Sequence, residues 1–238
     1  MVWSRAGIAA VFLWSFLAVA HAARIESGRV EGVRSGGLTV YKGVPFAAPP
    51  VGALRWREPQ PVAAWSGVRA ADTFAPACMQ TGVSMPGETP PASSEDCLYL
   101  NIWTPAGHAG ARLPVLVWIH GGGYVNGSAS MPLYWGDALA RRGIVVVTVA
   151  YRLGALGFLA HPELSRETPR RSSGNYGLMD QIAALEWVRR NIAACGGDKD
   201  RVDYSKANDS IAALVKADQD VTYIFVDDDL NSNGLNTN

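Results

Sequence analysis

Net charge is the first thing missing from this 238-residue chain, in which 21 Lys and Arg balance 21 Asp and Glu. A neutral balance gives no electrostatic drive toward nucleic acid or an anionic membrane surface, so neither partner is expected. Long apolar runs are missing too. Past the first 22 residues, no stretch approaches the roughly 20 residues that a membrane-spanning helix requires. Cysteine is scarce, at three, and histidine, at four, is little more common. Arginine stops altogether. All 17 lie at or before Arg201, while residues 203–238 hold no Arg or Pro, one Gly, two Lys, seven Asp and five Asn. Such a switch is unusual within one domain and suggests that residues 203–238 have a different origin, whether by fusion, frame change or assembly error.

What is present begins with a secretory signal peptide over residues 1–22. Arg5 supplies a basic start, an apolar stretch follows from about Ile8 to Ala20, and Ala20-His21-Ala22 offers a small-x-small cleavage pattern. The apolar stretch is too short for an anchor, so a secreted or periplasmic location is expected. In an exported protein, three cysteines point to one disulfide and one remaining thiol. Cys78 and Cys97 flank a loop rich in Pro, Ser, Gly and Thr that a covalent link would order, leaving Cys195 alone near a helix end. The alternative is three buried free thiols.

Residues 30–41 alternate around Ser35-Gly36-Gly37 and predict a β-hairpin. Residues 45–61, rich in Pro and Ala, predict an extended packed loop. Residues 98–103 predict a strand, and residues 115–119 and 144–150 are continuous apolar runs of the kind found in strands covered on both faces. Residues 131–142 have a helical pattern. Leu178, Ile182, Leu185, Val188 and Ile192 form a helical stripe, stopped by Gly196-Gly197. Strands and helices alternating in this order predict an α/β fold with a largely parallel sheet.

The chemistry is announced by His120-Gly121-Gly122-Gly123-Tyr124, which directly follows the apolar strand. Such a turn presents backbone N–H groups to the oxyanion that forms during ester cleavage. That chemistry also needs a serine in a G-x-S-x-G elbow, then an acid and a histidine. No serine of this sequence has glycine both two residues before and two after it. Gly82-Val83-Ser84-Met85-Pro86 comes nearest and fails at its last position.

Four stretches together carry a family resemblance. They are Tyr41-Lys42-Gly43-Val44-Pro45-Phe46 running on to Leu54-Arg55-Trp56, Ser94-Glu95-Asp96-Cys97-Leu98-Tyr99-Leu100-Asn101, the His120 to Tyr124 turn, and Tyr151-Arg152-Leu153-Gly154 with Gly174-Asn175-Tyr176-Gly177-Leu178-Met179-Asp180-Gln181. In this order and spacing they resemble the N-terminal part of the type-B carboxylesterases over residues 24–202. The resemblance implies an incomplete α/β-hydrolase fold: an N-terminal hairpin, then the first strands and helices of a mostly parallel central sheet. Residues 23–202 would be the N-terminal part of a carboxylesterase domain. It also implies that Gly122 and Gly123 form the oxyanion hole and that a complete member acts on a small-molecule carboxylic ester. No cofactor or metal is called for. In the family a strand next leads into the nucleophile elbow. Here Arg201-Val202 reaches that strand and then departs into Asp203-Tyr204-Ser205, leaving catalytic triad residues: none.

The remaining residues are read as structural. His120 stands beside the glycines but has a structural place in the family, and His161 and His108 fall in surface turns. Glu95 and Asp96, as neighbours on an extended segment, point to opposite sides and cannot serve one reacting centre; an ion pair with an arginine is expected. Asp180 sits near a helix start, where the dipole favours it. Asp229-Leu230-Asn231-Ser232-Asn233-Gly234 matches half of a calcium loop without the twelfth-position Glu that would complete it. Three functions compete: an esterase fold inactive as it stands, a non-catalytic binding or adhesion module on the same fold, and a hydrolase with an unrecognised nucleophile. Without its later strands the sheet would expose an edge, which predicts an aggregation-prone product when made alone.

Overall fold

A computed structural model describes residues 22–80, 92–169 and 171–203. The expected signal segment up to residue 21, Ser84, and the tail with its half match to a calcium loop lie outside the described residues.

Three antiparallel strands open the chain: β1 (Ala22–Ile25), β2 (Gly28–Ser35) and β3 (Leu38–Pro45). Ser35 faces Leu38, so Gly36-Gly37 is a two-residue turn, and both glycines have positive φ, 55° and 83°. That is the turn geometry whose twist suits a hairpin, and it needs residues without a Cβ penalty at both positions. Residues 45–61 are the predicted loop, bent by a single 3-10 turn at Gly52–Leu54. β4 (Val68–Ala71) then pairs parallel with β2.

Two short strands, β5 (Ala77–Cys78) and β6 (Ser93–Ser94), pair with each other, and Cys78 is disulfide-bonded to Cys97 with Cα atoms 4.9 Å apart. β7 (Tyr99–Thr104), β8 (Leu113–Ile119), α1 (Asp137–Ala140), β9 (Val145–Val149), α2 (Gly154–Phe158), α3 (Pro162–Glu167), α4 (Tyr176–Asn191) and β10 (Gly197–Asp203) follow.

The main sheet runs β1-β2-β3-β7-β9-β8-β10. The chain therefore has the α/β architecture of a partial α/β hydrolase, with a mixed sheet. β9, β8 and β10 are mutually parallel, and the pairs from β1 through β7 to β9 are antiparallel. The parallel pairing expected from the sequence is thus found, among the described residues of this sheet, in the three strands that carry the candidate site and in the β2–β4 pair. Pairing of β3 with β7 and of β7 with β9 joins segments far apart in sequence, and no local pattern announces its direction.

β9 is buried at all five positions, as its continuous Val-rich run predicts. β8 alternates: Val115, Val117 and Ile119 are buried, while Leu116 and Trp118 are half-buried. On one face of the sheet, Ala184, Leu185, Trp187 and Val188 of α4 share one buried cluster with Val115, Val117, Val147 and Val149. Each fully buried Val or Leu among them contributes roughly 1.5–3 kcal/mol. Arg189 and Arg190 fall in the last turn, where the helix dipole favours cations. The helix tightens to a 3-10 turn at Ile192–Cys195 and ends at Gly196, whose φ of 86° is left-handed. On the opposite face a smaller cluster gathers Leu38, Val40, Trp103, Ala140 and Val146.

The helical pattern over residues 131–142 yields only a 3-10 turn at Pro132–Tyr134 and the four residues of α1. Leu133, Trp135 and Leu139 are 67%, 45% and 39% exposed. An apolar spacing builds a helix when a surface covers its whole face; here Trp135 stacks on Phe74 at 5.5 Å while Leu133 and Leu139 stay largely exposed.

Candidate active site: a glycine turn at the carboxyl end of the sheet

β8 ends at Ile119, and the chain passes through His120 into Gly121-Gly122-Gly123-Tyr124 at the carboxyl end of the parallel strands. Loops at that end are where open α/β sheets place ligands. Gly122 and Gly123 have φ of 112° and 58°, and Tyr124 follows at 63°. A Cβ on Gly122 would overlap the Asn126 carbonyl and side chain, so this position admits glycine alone; a Cβ on Gly123 would meet only open space. The Gly122 carbonyl accepts from the N–H groups of Val125 (3.1 Å) and Asn126 (3.2 Å), which curls the turn back on itself. Among the described residues, the N–H groups of Gly122 and Gly123 donate to no protein acceptor. Two unspent donors on a fixed, irregular turn can stabilise an oxygen that gains negative charge.

Several braces hold the turn. The buried His120 ring stacks on Tyr151 at 4.6 Å, and the Tyr151 hydroxyl donates to the His120 carbonyl (2.9 Å). His120 Nδ1 contacts the Gly121 carbonyl at 2.9 Å. A carbonyl only accepts, so this nitrogen carries the proton in that contact. The His120 ring and carbonyl thus brace the turn they open. Gly154 N–H donates to the Tyr124 carbonyl (2.7 Å), and Tyr124 packs against Phe158 of α2 at 5.0 Å. The end of β8 is thereby joined to the chain leaving β9. Further along, Ala129 O accepts from Asn101 Nδ2 (3.3 Å) on β7.

Arg152, just past β9, is anchored in turn. It forms a buried ion pair with Asp180 of α4, with Nε and Nη2 each donating across 2.7 Å and the Arg152 backbone N–H adding a third bond at 3.0 Å. The two side chains are 3% and 0% exposed. Burial pushes the Asp180 carboxyl up, and the three bonds from Arg152 pull it down. Asp180 is structural as expected, but its partner is this arginine rather than the helix dipole alone. Nothing in sequence spacing links the two residues.

The other candidates fall into place around this frame. Glu95 takes a two-pronged bond from Arg55, Nε and Nη2 each at 2.6 Å, which is the arginine pair the sequence predicts. Asp96 points elsewhere and accepts from the Tyr99 hydroxyl (2.8 Å). His161 is the exposed N-cap of α3, accepting from the N–H of Glu163, and His108 lies in an exposed turn. Cys195 is a buried free thiol that desolvation pushes up to about 12, so it stays protonated and is no nucleophile. Gln80, which sequence reading passed over, touches the returning limb of the glycine turn. Its Nε2 donates to the Gly127 carbonyl (2.8 Å) and to the Cys78 carbonyl (3.0 Å), and its Oε1 accepts from Gly127 N–H (2.9 Å).

A parallel strand opening into a left-handed glycine turn, braced by the neighbouring strand's exit and a long crossover helix, defines an α/β hydrolase. The Carboxylesterase family model matches residues 20–205, and the chain belongs to that family. The chain is 53% identical to the fumonisin B1 esterase of Sphingopyxis macrogoltabida over 177 residues, covering 74% of this chain and 33% of that protein. It is 44% identical to the para-nitrobenzyl esterase of Bacillus subtilis over 196 residues, covering 80% of this chain and 39% of that protein. A carboxylesterase crystal structure from Geobacillus stearothermophilus superposes with a TM-score of 0.69 at 45% identity, covering 77% of this chain and 37% of that one. The chain thus spans between a third and two-fifths of the length of these relatives.

Proposed function

We propose that residues 22–203 form the oxyanion-binding part of a carboxylic-ester hydrolase, with the Gly122 and Gly123 N–H groups as donors to the developing oxyanion. The observation that carries this reading is the pair of left-handed glycines at the end of β8 whose N–H groups have no protein acceptor among the described residues. In an acyl-enzyme route a serine oxygen adds to the ester carbonyl as its proton passes to a histidine. The C–O bond to the alcohol then breaks as the alcohol takes that proton, and water repeats the sequence to release the acid. Charge gathers on the carbonyl oxygen at each addition, so the two N–H groups bind the transition state more tightly than the substrate. Relatives named for fumonisin B1 and para-nitrobenzyl esters support a small-molecule carboxylic ester as the substrate class.

The 238 residues contain no G-x-S-x-G sequence, and the proposal includes that by themselves they do not turn over an ester. It also includes export, directed by residues 1–22, and gives the Asp- and Asn-rich residues 203–238 no part in the chemistry. A fluorophosphonate probe tests the inactive reading on the purified chain. The expected result is no covalent adduct on a chain with a folded circular-dichroism spectrum. An adduct would overturn it, and mass spectrometry of the labelled peptide would name the nucleophile.

A further inference from the structure

We propose that Gln80 is the positioning residue of the glycine turn, an inference that rests on the oxyanion role given above to Gly122 and Gly123. The side-chain amide of Gln80 meets both polar groups of one residue, accepting from Gly127 N–H at 2.9 Å and donating to Gly127 O at 2.8 Å. It acts as a peptide group would in a strand ladder, and its second donation, to Cys78 O at 3.0 Å, fixes its own rotamer. Gly127 is a tightly determined point. Its φ is 117°, and a Cβ there would overlap the His120 ring and the Gly121 carbonyl. The residue before it, Asn126, donates to Gly122 O and packs over the Gly122 Cα.

Gln80 therefore presses the returning limb of the turn against the outgoing one. The direction of the Gly122 and Gly123 N–H groups follows from that closure. Cys78 anchors the clamp, since its disulfide to Cys97 ties the segment before Gln80 to the residues that lead into β7. A two-residue offset from a disulfide cysteine thus brings a polar side chain from outside the main sheet onto the candidate site.

The test is hydrogen–deuterium exchange, followed by mass spectrometry, on the full chain and two variants. Gln80→Met keeps the side-chain length and removes every hydrogen bond. Gln80→Glu keeps an acceptor for Gly127 N–H and loses both donations. The expected result is exchange over residues 120–127 faster by about tenfold or more in both Gln80→Met and Gln80→Glu, whose second carboxylate oxygen faces the Gly127 and Cys78 carbonyls, with unchanged protection in α4 and β9. Wild-type exchange in both variants would overturn the proposal. So would an increase shared equally by α4, which would make Gln80 a general stabiliser rather than a positioning residue. Should Gln80→Met fail to fold, Gln80→Glu alone decides between these results. The readout needs no ester, so it decides the clamp on its own, and a failure of the oxyanion role would leave the clamp standing.

Discussion

Replacing Arg152 with methionine removes one member of a pair that has no access to water. Asp180 is 0% exposed and takes three bonds from Arg152, two of them from the guanidinium at 2.7 Å. Arg152→Met leaves a buried carboxylate holding a single backbone N–H. Removing one partner of a buried ion pair costs about 3–5 kcal/mol, mostly from the charge left uncompensated. With a urea dependence of about 2 kcal/mol/M, the midpoint of unfolding falls by roughly 2 M. The assay is urea titration by circular dichroism at low protein concentration. The double variant Arg152→Met/Asp180→Leu recovers most of the loss, because no stranded charge remains. Acidity supplies a second check. Burial already holds the Asp180 carboxyl above the ordinary 3.8, and loss of the guanidinium, with only the backbone N–H left to oppose burial, raises it further. Folding then takes up a proton, and stability declines as pH rises through that raised value; the Arg152→Met deficit is therefore smaller at pH ~5 than at pH ~7. A midpoint shift below about 0.5 M, or a double variant as weak as the single one, would refute the reasoning.

Further outcomes follow from other features of the fold. Cys195, a buried thiol pushed up to about 12, resists alkylation by iodoacetamide in the folded chain and reacts fully in denaturant; labelling at equal rates in both would contradict its burial. Reducing the Cys78–Cys97 disulfide releases the anchor of Gln80, so exchange over residues 120–127 rises before that of α4, whereas simultaneous loss would show that the disulfide acts on the whole fold. β10 pairs on one side only, with β8, among the described residues, and Val125, Leu133 and Trp135 are exposed. The 238 residues made alone therefore associate with rising concentration by light scattering, and a soluble, cooperatively unfolding monomer would count against this.

The parts of the fold that were legible in the sequence are those whose signal is local. Gly36-Gly37 announces its hairpin, the Val-rich run of β9 its burial, and the stripe from Leu178 to Ile192 its helix, because each pattern reflects a period or a turn geometry. The glycine turn was legible for the same reason, since only glycine tolerates the φ of 112° at Gly122 against Asn126. The antiparallel pairing of β3, β7 and β9 was not legible, because strand direction is set by partners 50 or more residues away in the β3–β7 ladder, as Thr39 with Thr104 illustrates. Arg152–Asp180 and the Gln80–Gly127 clamp were missed on the same ground: they join residues 28 and 47 positions apart, and neither has a spacing that a reader could search for. Residues 131–142 misled because their apolar positions satisfy helical spacing, yet they are covered piecemeal, Tyr134 by Trp118, Trp135 by Phe74 and Ala140 by the smaller cluster, rather than along one helical face.

The most direct measurement places residues 22–203 in the corresponding stretch of the Bacillus subtilis para-nitrobenzyl esterase, to which this chain is 44% identical, and follows para-nitrophenyl ester hydrolysis. The predicted result is turnover in the hybrid, with Gly122→Ala, whose Cβ has no room beside Asn126 and so turns the N–H groups away from the oxyanion, lowering kcat by about 10²–10³. A folded hybrid without turnover, or one in which Gly122→Ala leaves kcat unaltered, would contradict the assignment of this turn as the oxyanion hole.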